Sequence, residues 1–576
     1  MSEQTGFFVS DNKIPLSEKY VAIPSQNGLS YSSQKLIEFY IPPNVENFNP
    51  KKSYLQFDLT LSQDASASLT RLQLDELIGG QILIDTIRIH SGDKTELLEE
   101  IRHYPVHVAV KYAYHSSPTL QNLRAINEGA GAFIPDTRGT KSTSESLLTN
   151  HKYSPYYKPV SADPTSALFT NDDSYIQCKL KLPLHTGIFQ NDKVVPCGLL
   201  NGLFVTILTS EDKRVFRQLD SVSRERRISL NPQFHSLNAS IGGPNVWASG
   251  SAQTVFYIRT DNNNWEVANF PFVVGEKIGF CSTDRVVVAT PGDATIKTIE
   301  TAGVGAAKLI KITLNGAVTP GSEIGLGFNL FSKTVSTATS YRPTYLMSNC
   351  ELVINQVDLG TAAQAEIQRD MTEGKMMVYD FLTTQVYNYS QLAGDRVANI
   401  GIPANHQRAK SVICVPTDAT VYTNMQQISG SGTYLISEGY DGALYSTQSG
   451  VAGISDRLTE YFFFYDGRNQ PSLNVNTEKI SSKVSVDAIP LLELDKALEA
   501  AEIPGMDMRR FNDNFCIGRA LSLGSTGVYD MRNKDCRLNV YYQDTTNAPD
   551  KNKLWCNFVH HIRRINIRSN SISVEV

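Results

Sequence analysis

The chain has 576 residues, 41% hydrophobic and 19% charged, with 53 basic against 58 acidic side chains and a net charge of −5. Such a composition excludes a disordered chain, and the near balance of charge excludes a chain-wide basic footprint for nucleic acid. No apolar run approaches the roughly 18 residues needed to span a membrane, and at roughly 100–200 residues per domain the length predicts three or four units, or fewer large all-β ones.

Residues 1–33 show little periodicity and are expected to form an N-terminal arm, without the apolar stretch of a secretion signal. Alternation begins in SYLQFDLTL, where Leu55, Phe57, Leu59 and Leu61 share one face of a half-buried strand. Residues 69–78 and 95–110 read as amphipathic helices. The second has Asp93 and Glu96 as a capping box, an apolar side of Leu97, Leu98, Ile101 and Tyr104, and Pro105 to kink or end it. Residues 116–173 are polar and rich in Ser, Thr, Asn and Pro, a loop of the length that usually serves function or an interface. Strand alternation resumes at Ile176, Cys178, Leu180 and Leu182, and again at Leu203, Val205 and Ile207. Between residues 246 and 335, short apolar runs from VFYIRT to GSEIGLGF alternate with Gly, Pro and Asn turns. They predict a small β barrel or sandwich interrupting a larger unit. Helices are expected at residues 360–374 and 490–502, the latter with Leu491, Leu494 and Leu498 on one side. Further strands are expected at residues 379–386, 412–415, 461–465, 536–542, 564–567 and 572–576. Without the insertion, two β-rich halves of about 240 residues remain, each the size of one large sandwich. By position, KVVPCGLLNGLFVTIL in the first half corresponds to YFFFYDGRNQPSLNV in the second.

No catalytic constellation emerges. The 8 cysteines include no close pair of the kind that zinc ribbons and redox motifs need, and they read as buried free thiols. His103 and His107 have metal-ligand spacing but enclose Pro105 and lack the zincin glutamate. His560 and His561, adjacent in a strand, are expected to point to opposite faces. Phosphate-binding loops and nucleophile elbows are absent. The sequence therefore offers no catalytic, cofactor-binding or metal-binding residues, and a structural or binding protein is favoured over an enzyme.

Four blocks carry a family resemblance. FYIPPNVENFNPKKSYLQFDLTL, IDTIRIHSGDKTELLEEIRHY, GIFQNDKVVPCGLLNGLFVTIL and RALSLGSTGVYDMRNKDCRLNVYY resemble, in that order, blocks of the major capsid proteins of Polinton-like viruses and virophages. The resemblance implies an all-β chain of two tandem eight-stranded jelly rolls, a double jelly roll, with a few short helices and the β-rich insertion in the first roll. The expected division is an arm at residues 1–33, a first roll at 34–245 holding the polar loop 116–173, an inserted tower at 246–335, the end of the first roll and a linker at 336–362, and a second roll at 363–576.

The function so implied is that of a major capsid protein. Three chains would form a pseudo-hexagonal capsomer, and capsomers would tile an icosahedral shell around a double-stranded DNA genome. Partners would be further copies of the chain, penton proteins and minor capsid proteins, with no specific nucleic acid and membrane contact left open. The location would be the virion, after assembly inside the host cell. Tyr153, Tyr156 and Tyr157 in the polar loop are the candidate trimer contacts, because tyrosine offers large area with a polar tip. Arg563, Arg564 and Arg568 are expected to blunt a strand edge or to bind neighbouring carboxylates. The alternative is a carbohydrate-binding or carbohydrate-active β-sandwich protein, a fibre, lectin or hydrolase.

Overall fold

The computed structural model describes residues 4–6, 17–62, 72–114, 124–130, 156–157, 177–215, 344–419, 451–477, 489–503, 514–543 and 552–575, a few positions excepted, and strands of the stretch between residues 217 and 332. Eight strands build the first sandwich: β1 Ser17–Pro24, β2 Leu36–Ile41, β3 Phe48–Ser62, β4 Ile84–Ser91, β5 Leu97–Ile101, β6 Gln177–Pro183, β7 Leu203–Thr209 and β8 Thr344–Asp358. They form two sheets of order β1–β8–β3–β6 and β2–β7–β4–β5. Helix α1, Tyr104–Tyr114, lies between β5 and β6.

After α2, Thr361–Thr372, the second sandwich repeats the plan. Its strands are β9 Met376–Gln391, β10 Val397–Gly401, β11 Ala409–Asp418, β12 Glu460–Tyr465, β13 Arg468–Asn476, β14 Ile517–Ala520, β15 Arg537–Tyr541 and β16 Lys553–Arg568. The sheets run β9–β16–β11–β14 and β10–β15–β12–β13. Adding eight to every strand number of the first sandwich yields the second. Helix α3, Ile489–Ala500, again sits between the fifth and sixth strands. Two four-stranded sheets in this order are a jelly roll, so the chain is a double jelly roll. A last strand, β17 Ser571–Glu575, and the short Gln4–Gly6 extend the β9–β16 sheet; Gln4–Gly6 pairs in parallel with Met376–Val378.

The cores follow the alternation read from the sequence. Leu55, Phe57 and Leu59 on β3, Ile37, Phe39 and Ile41 on β2, and Leu203, Val205 and Ile207 on β7 are all fully buried. In the second roll Ile400, Phe463, Leu538, Val540 and Trp555 play that part. Each such side chain contributes about 1.5–3 kcal/mol relative to exposure.

Between β7 and β8 the chain departs into the insertion. Its main sheet contains Gln253–Arg259, Lys277–Cys281, Ala294–Ala302 and Leu309–Val318, with Phe256, Ile258, Ile310 and Ile312 buried. The same sheet takes in Arg227–Ser229 and Phe234–His235, ahead of the first apolar run.

Four local expectations change. Residues 95–101 are not helical: Leu97–Ile101 pairs with β4, Ile89 opposite Glu99 and Ile87 opposite Ile101. Asp93 caps no helix; it closes the turn between the two strands, accepting from Ser91 Oγ and the Thr95 amide. Residues 69–78 give no helix among the described positions; Leu72–Gln73 is a two-residue strand, and Gly80–Leu83 a single 3₁₀ turn. Ser17–Pro24, inside the expected arm, is the outer strand of the first sandwich; only Ile23 in it is buried, which hides its periodicity. The true counterpart of GLFVTIL (β7) is Arg537–Tyr541 (β15), whereas YFFFY (β12) matches β4.

Candidate functional site: the seam between the two rolls

The chain holds its two sandwiches together through a buried seam, and α1 is its centre. The helix sequence YPVHVAVKYAY is apolar nearly all round, the mark of a helix covered on every side. His107 packs its ring 5.6 Å from Phe558 and 6.0 Å from His560 of β16. Tyr114 donates to the Asn514 carbonyl, Asn514 Nδ2 donates back to the Ala109 carbonyl at 3.1 Å, and Cys516 Sγ lies 3.4 Å from Tyr114 Oη.

A second set of links radiates from β5. The Glu99 carboxylate is fully buried and accepts from Thr383 Oγ1 of β9 and from the amides of Gly187 and Ile188. Burial raises its pKa against the pull of these donors and of Arg563. Arg563 of β16 donates to the Leu97 carbonyl at 2.8 Å. The Asp380 carbonyl accepts from Asn191 Nδ2 at 3.0 Å and Lys193 Nζ at 3.2 Å, while Arg564 grips its carboxylate through two bonds of 2.7 and 2.8 Å. Gly187 is demanded by closeness: a Cβ there would stand 2.2 Å from the Leu382 carbonyl oxygen.

Histidines are concentrated at this seam. His406 and His561 stack with centroids 3.7 Å apart, and Tyr387 Oη lies 3.0 Å from His406 Nε2. His560 turns instead to His107, so the adjacent pair does point to opposite sides, as a strand requires. Burial holds them neutral: it lowers His406 to about 4 and His560 to about 3, and pushes His107, His185 and His561 well down.

A cavity of about 680 Å³ opens along the seam between α1 and the loop before β7 on one side and β9 and the end of α3 on the other. Among the described residues no group of three His, Cys, Asp or Glu is placed to hold a metal. His103 contacts Asn388 Nδ2 while His107 faces β16, so the spaced pair does not converge. Six cysteines, Cys197, Cys350, Cys414, Cys516, Cys536 and Cys556, are free and buried.

Of the candidate contact tyrosines, Tyr153 lies outside the described residues. Tyr156–Tyr157 forms a short strand against Leu72–Gln73, and the two side chains lie outside what is described. The seam residues Glu99, Lys111, His185 and Asn514 were not singled out from the sequence. Glu99 was concealed inside an apparent helix, and His185 and Asn514 acquire their roles only from partners about 70 to 400 positions away.

No family model and no curated protein matches the sequence. Among solved structures, the chain resembles the PBCV-1 VP54 protein fitted into a reconstruction of the virophage Sputnik, at 9% identity, 97% coverage of this chain, 96% of that chain and a TM-score of 0.47. It resembles the Faustovirus major capsid protein at 9% identity, 97% and 92% coverage and a TM-score of 0.46. A structure of the Sputnik virophage matches at 9% identity, 100% and 91% coverage and a TM-score of 0.42.

Proposed function

We propose that the chain is a major capsid protein whose double jelly roll is the repeating block of a virus shell. The observation that carries this reading is the unequal use of two equivalent sheets. Consecutive residues from Trp555 to His561 of β16 are buried, so both faces of that sheet are covered, one of them by α1 of the first roll. The equivalent sheet of the first roll keeps one face open: Tyr54, Gln56 and Asp58 of β3 alternate with buried neighbours, and Tyr20 of β1 is 59% exposed. Helix α3, the counterpart of α1, likewise exposes Ile489 and Leu492. Repeating the seam between chains would set α3 of one copy against the open sheet of the next. Three copies closing this head-to-tail contact make a ring of six rolls.

On this reading function is geometry and interface energy, and no residue performs chemistry. The trimers would tile an icosahedral shell around double-stranded DNA in the virion, with penton and minor capsid proteins as partners. Tyr153, Tyr156 and Tyr157 would add contacts between chains. Light scattering on the purified protein tests the reading. A species near three times the chain mass of 63.7 kDa, with hexagonal outlines by negative-stain microscopy, is expected. A stable monomer across salt conditions overturns it.

A further inference from the structure

The seam cavity is unevenly charged, and its inner end is built for a guest. At the outer end the charges satisfy one another: Lys51 pairs with Asp192, and Lys193 donates to the Asp380 carbonyl. At the inner end lies Lys111, the one residue of α1 that is not fully buried. Among the described residues its ammonium has no hydrogen-bond acceptor or ion-pair partner; Glu99 and Glu502 act on it only from a distance. Glu99 is already committed to Thr383, Gly187 and Ile188. An ammonium withdrawn from water without a partner is costly.

Two further groups stand beside it. His185 lines the cavity, is about nine-tenths buried, and its Nδ1 has no partner among the described residues. The Arg124 guanidinium lies 3.7 Å over the Tyr112 ring and lines the same space. Tyr112 Oη is 2.6 Å from Glu128 Oε2 and 2.7 Å from His185 Nε2. When Glu128 carries a proton, the hydroxyl can donate to Nε2, which leaves the ring proton on Nδ1 available to an acceptor. Phe381 and Ile503 supply apolar wall.

We propose that the inner end of this cavity binds a small oxyanion of carboxylate or phosphate type, held by Lys111 and His185 with Arg124 alongside. The guest would bridge the rolls, because Lys111, Arg124 and His185 belong to the first and the facing wall at Phe381 and Ile503 to the second. This holds whatever the oligomeric state.

The test is calorimetric titration of the full chain with inorganic phosphate and, separately, with acetate, at ionic strength fixed by sodium chloride. One saturable site per chain is expected for at least one anion, and the tighter of the two names its type. Lys111→Met should weaken binding at least about tenfold, the scale of a lost charge-assisted contact. Arg124→Gln serves as the second variant should Lys111→Met fail to fold, with the same direction of effect. No saturable binding of either anion to the wild type overturns the proposal, as does equal binding by wild type and folded variants.

Discussion

The β1–β8–β3–β6 sheet and the β9–β16–β11–β14 sheet share one strand order and differ in what lies outside them. On β3 a polar or half-exposed residue follows each buried one, and the outward set is stitched by polar pairs such as Gln56 with Glu351 and Asn349 with Asp58. On β11, Val412, Ile413, Cys414 and Val415 are buried in succession, and on β16 so are Trp555 through His561. The lesson is that a jelly-roll sheet takes its outer-face chemistry from its neighbour. Where α1 covers the sheet, histidines, an asparagine and a carboxylate are buried and hydrogen-bonded; where nothing among the described residues covers it, the pattern reverts to simple alternation.

The sharpest probe of that difference uses neighbouring residues on β3. Phe57→Asp should abolish folding, seen as loss of folded protein by circular dichroism, because an unpaired charge would enter a dry core. Gln56→Ala, one residue away on the open face, should cost no more than about 0.5 kcal/mol. Equal effects would mean the strand does not present two faces. At the seam, Glu99→Ala strands two amides, a hydroxyl and the charge of Arg563; urea denaturation should show a loss of about 3 kcal/mol or more. A loss within experimental scatter would mean the rolls do not rely on this link. Gly187→Ala should cost about 1–3 kcal/mol as the rolls move apart to admit the methyl group.

Acid should separate the two sheets more gently. The unfolded chain protonates its histidines near pH 6.5, whereas in the fold His406 waits until about 4 and His560 until about 3. Below 6.5 the unfolded state therefore binds more protons, and stability present above that pH is lost as pH falls toward 4. Glu128 and Asp212, raised to about 7 and 6 by burial, and buried Glu99 work in the opposite direction. Among the described residues seven histidines, His90 and His103 being lowered by burial as well, against three raised carboxyl groups leave a net loss, so the urea midpoint should drop between pH 7 and pH 5. His406→Gln should flatten that slope. The smallest effect on the single chain is expected for Leu492→Asp on α3: within about 0.5 kcal/mol for folding, yet with the trimer lost in light scattering. An intact trimer would remove α3 from the proposed contact.

Much of this fold could be read from the sequence wherever one face of a strand is wet. SYLQFDLTL and GLFVTIL announced β3 and β7 because their buried residues recur every second position. The insertion's apolar runs were legible for the same reason. The LLEEI segment misled because Leu97, Leu98 and Ile101 fit a helical face as well as a strand; pairing with β4, a tertiary fact, decided the matter. The edge strand β1 went unseen because most of its residues are exposed. The seam was illegible in principle. Tyr114 meets Asn514 across 400 positions, and nothing local to YPVHVAVKYAY says which surface will cover it.

Strand β8 has a consequence for how the molecule is made. It pairs with β1 on one side and β3 on the other, Ile23 opposite Leu352 and Leu55 opposite that same Leu352. During synthesis those two partners leave the ribosome early; β3 can pair with β6 on its far side, but β1 and the other edge of β3 wait through β7 and the whole insertion, until the chain has grown to Asp358. The β2–β7–β4–β5 sheet and then the insertion can form in the interval, while the bare edges of β1 and β3 are open to wrong pairing. Closure across so long a separation is slow. Rapid folding of the insertion would shorten the distance β8 must search.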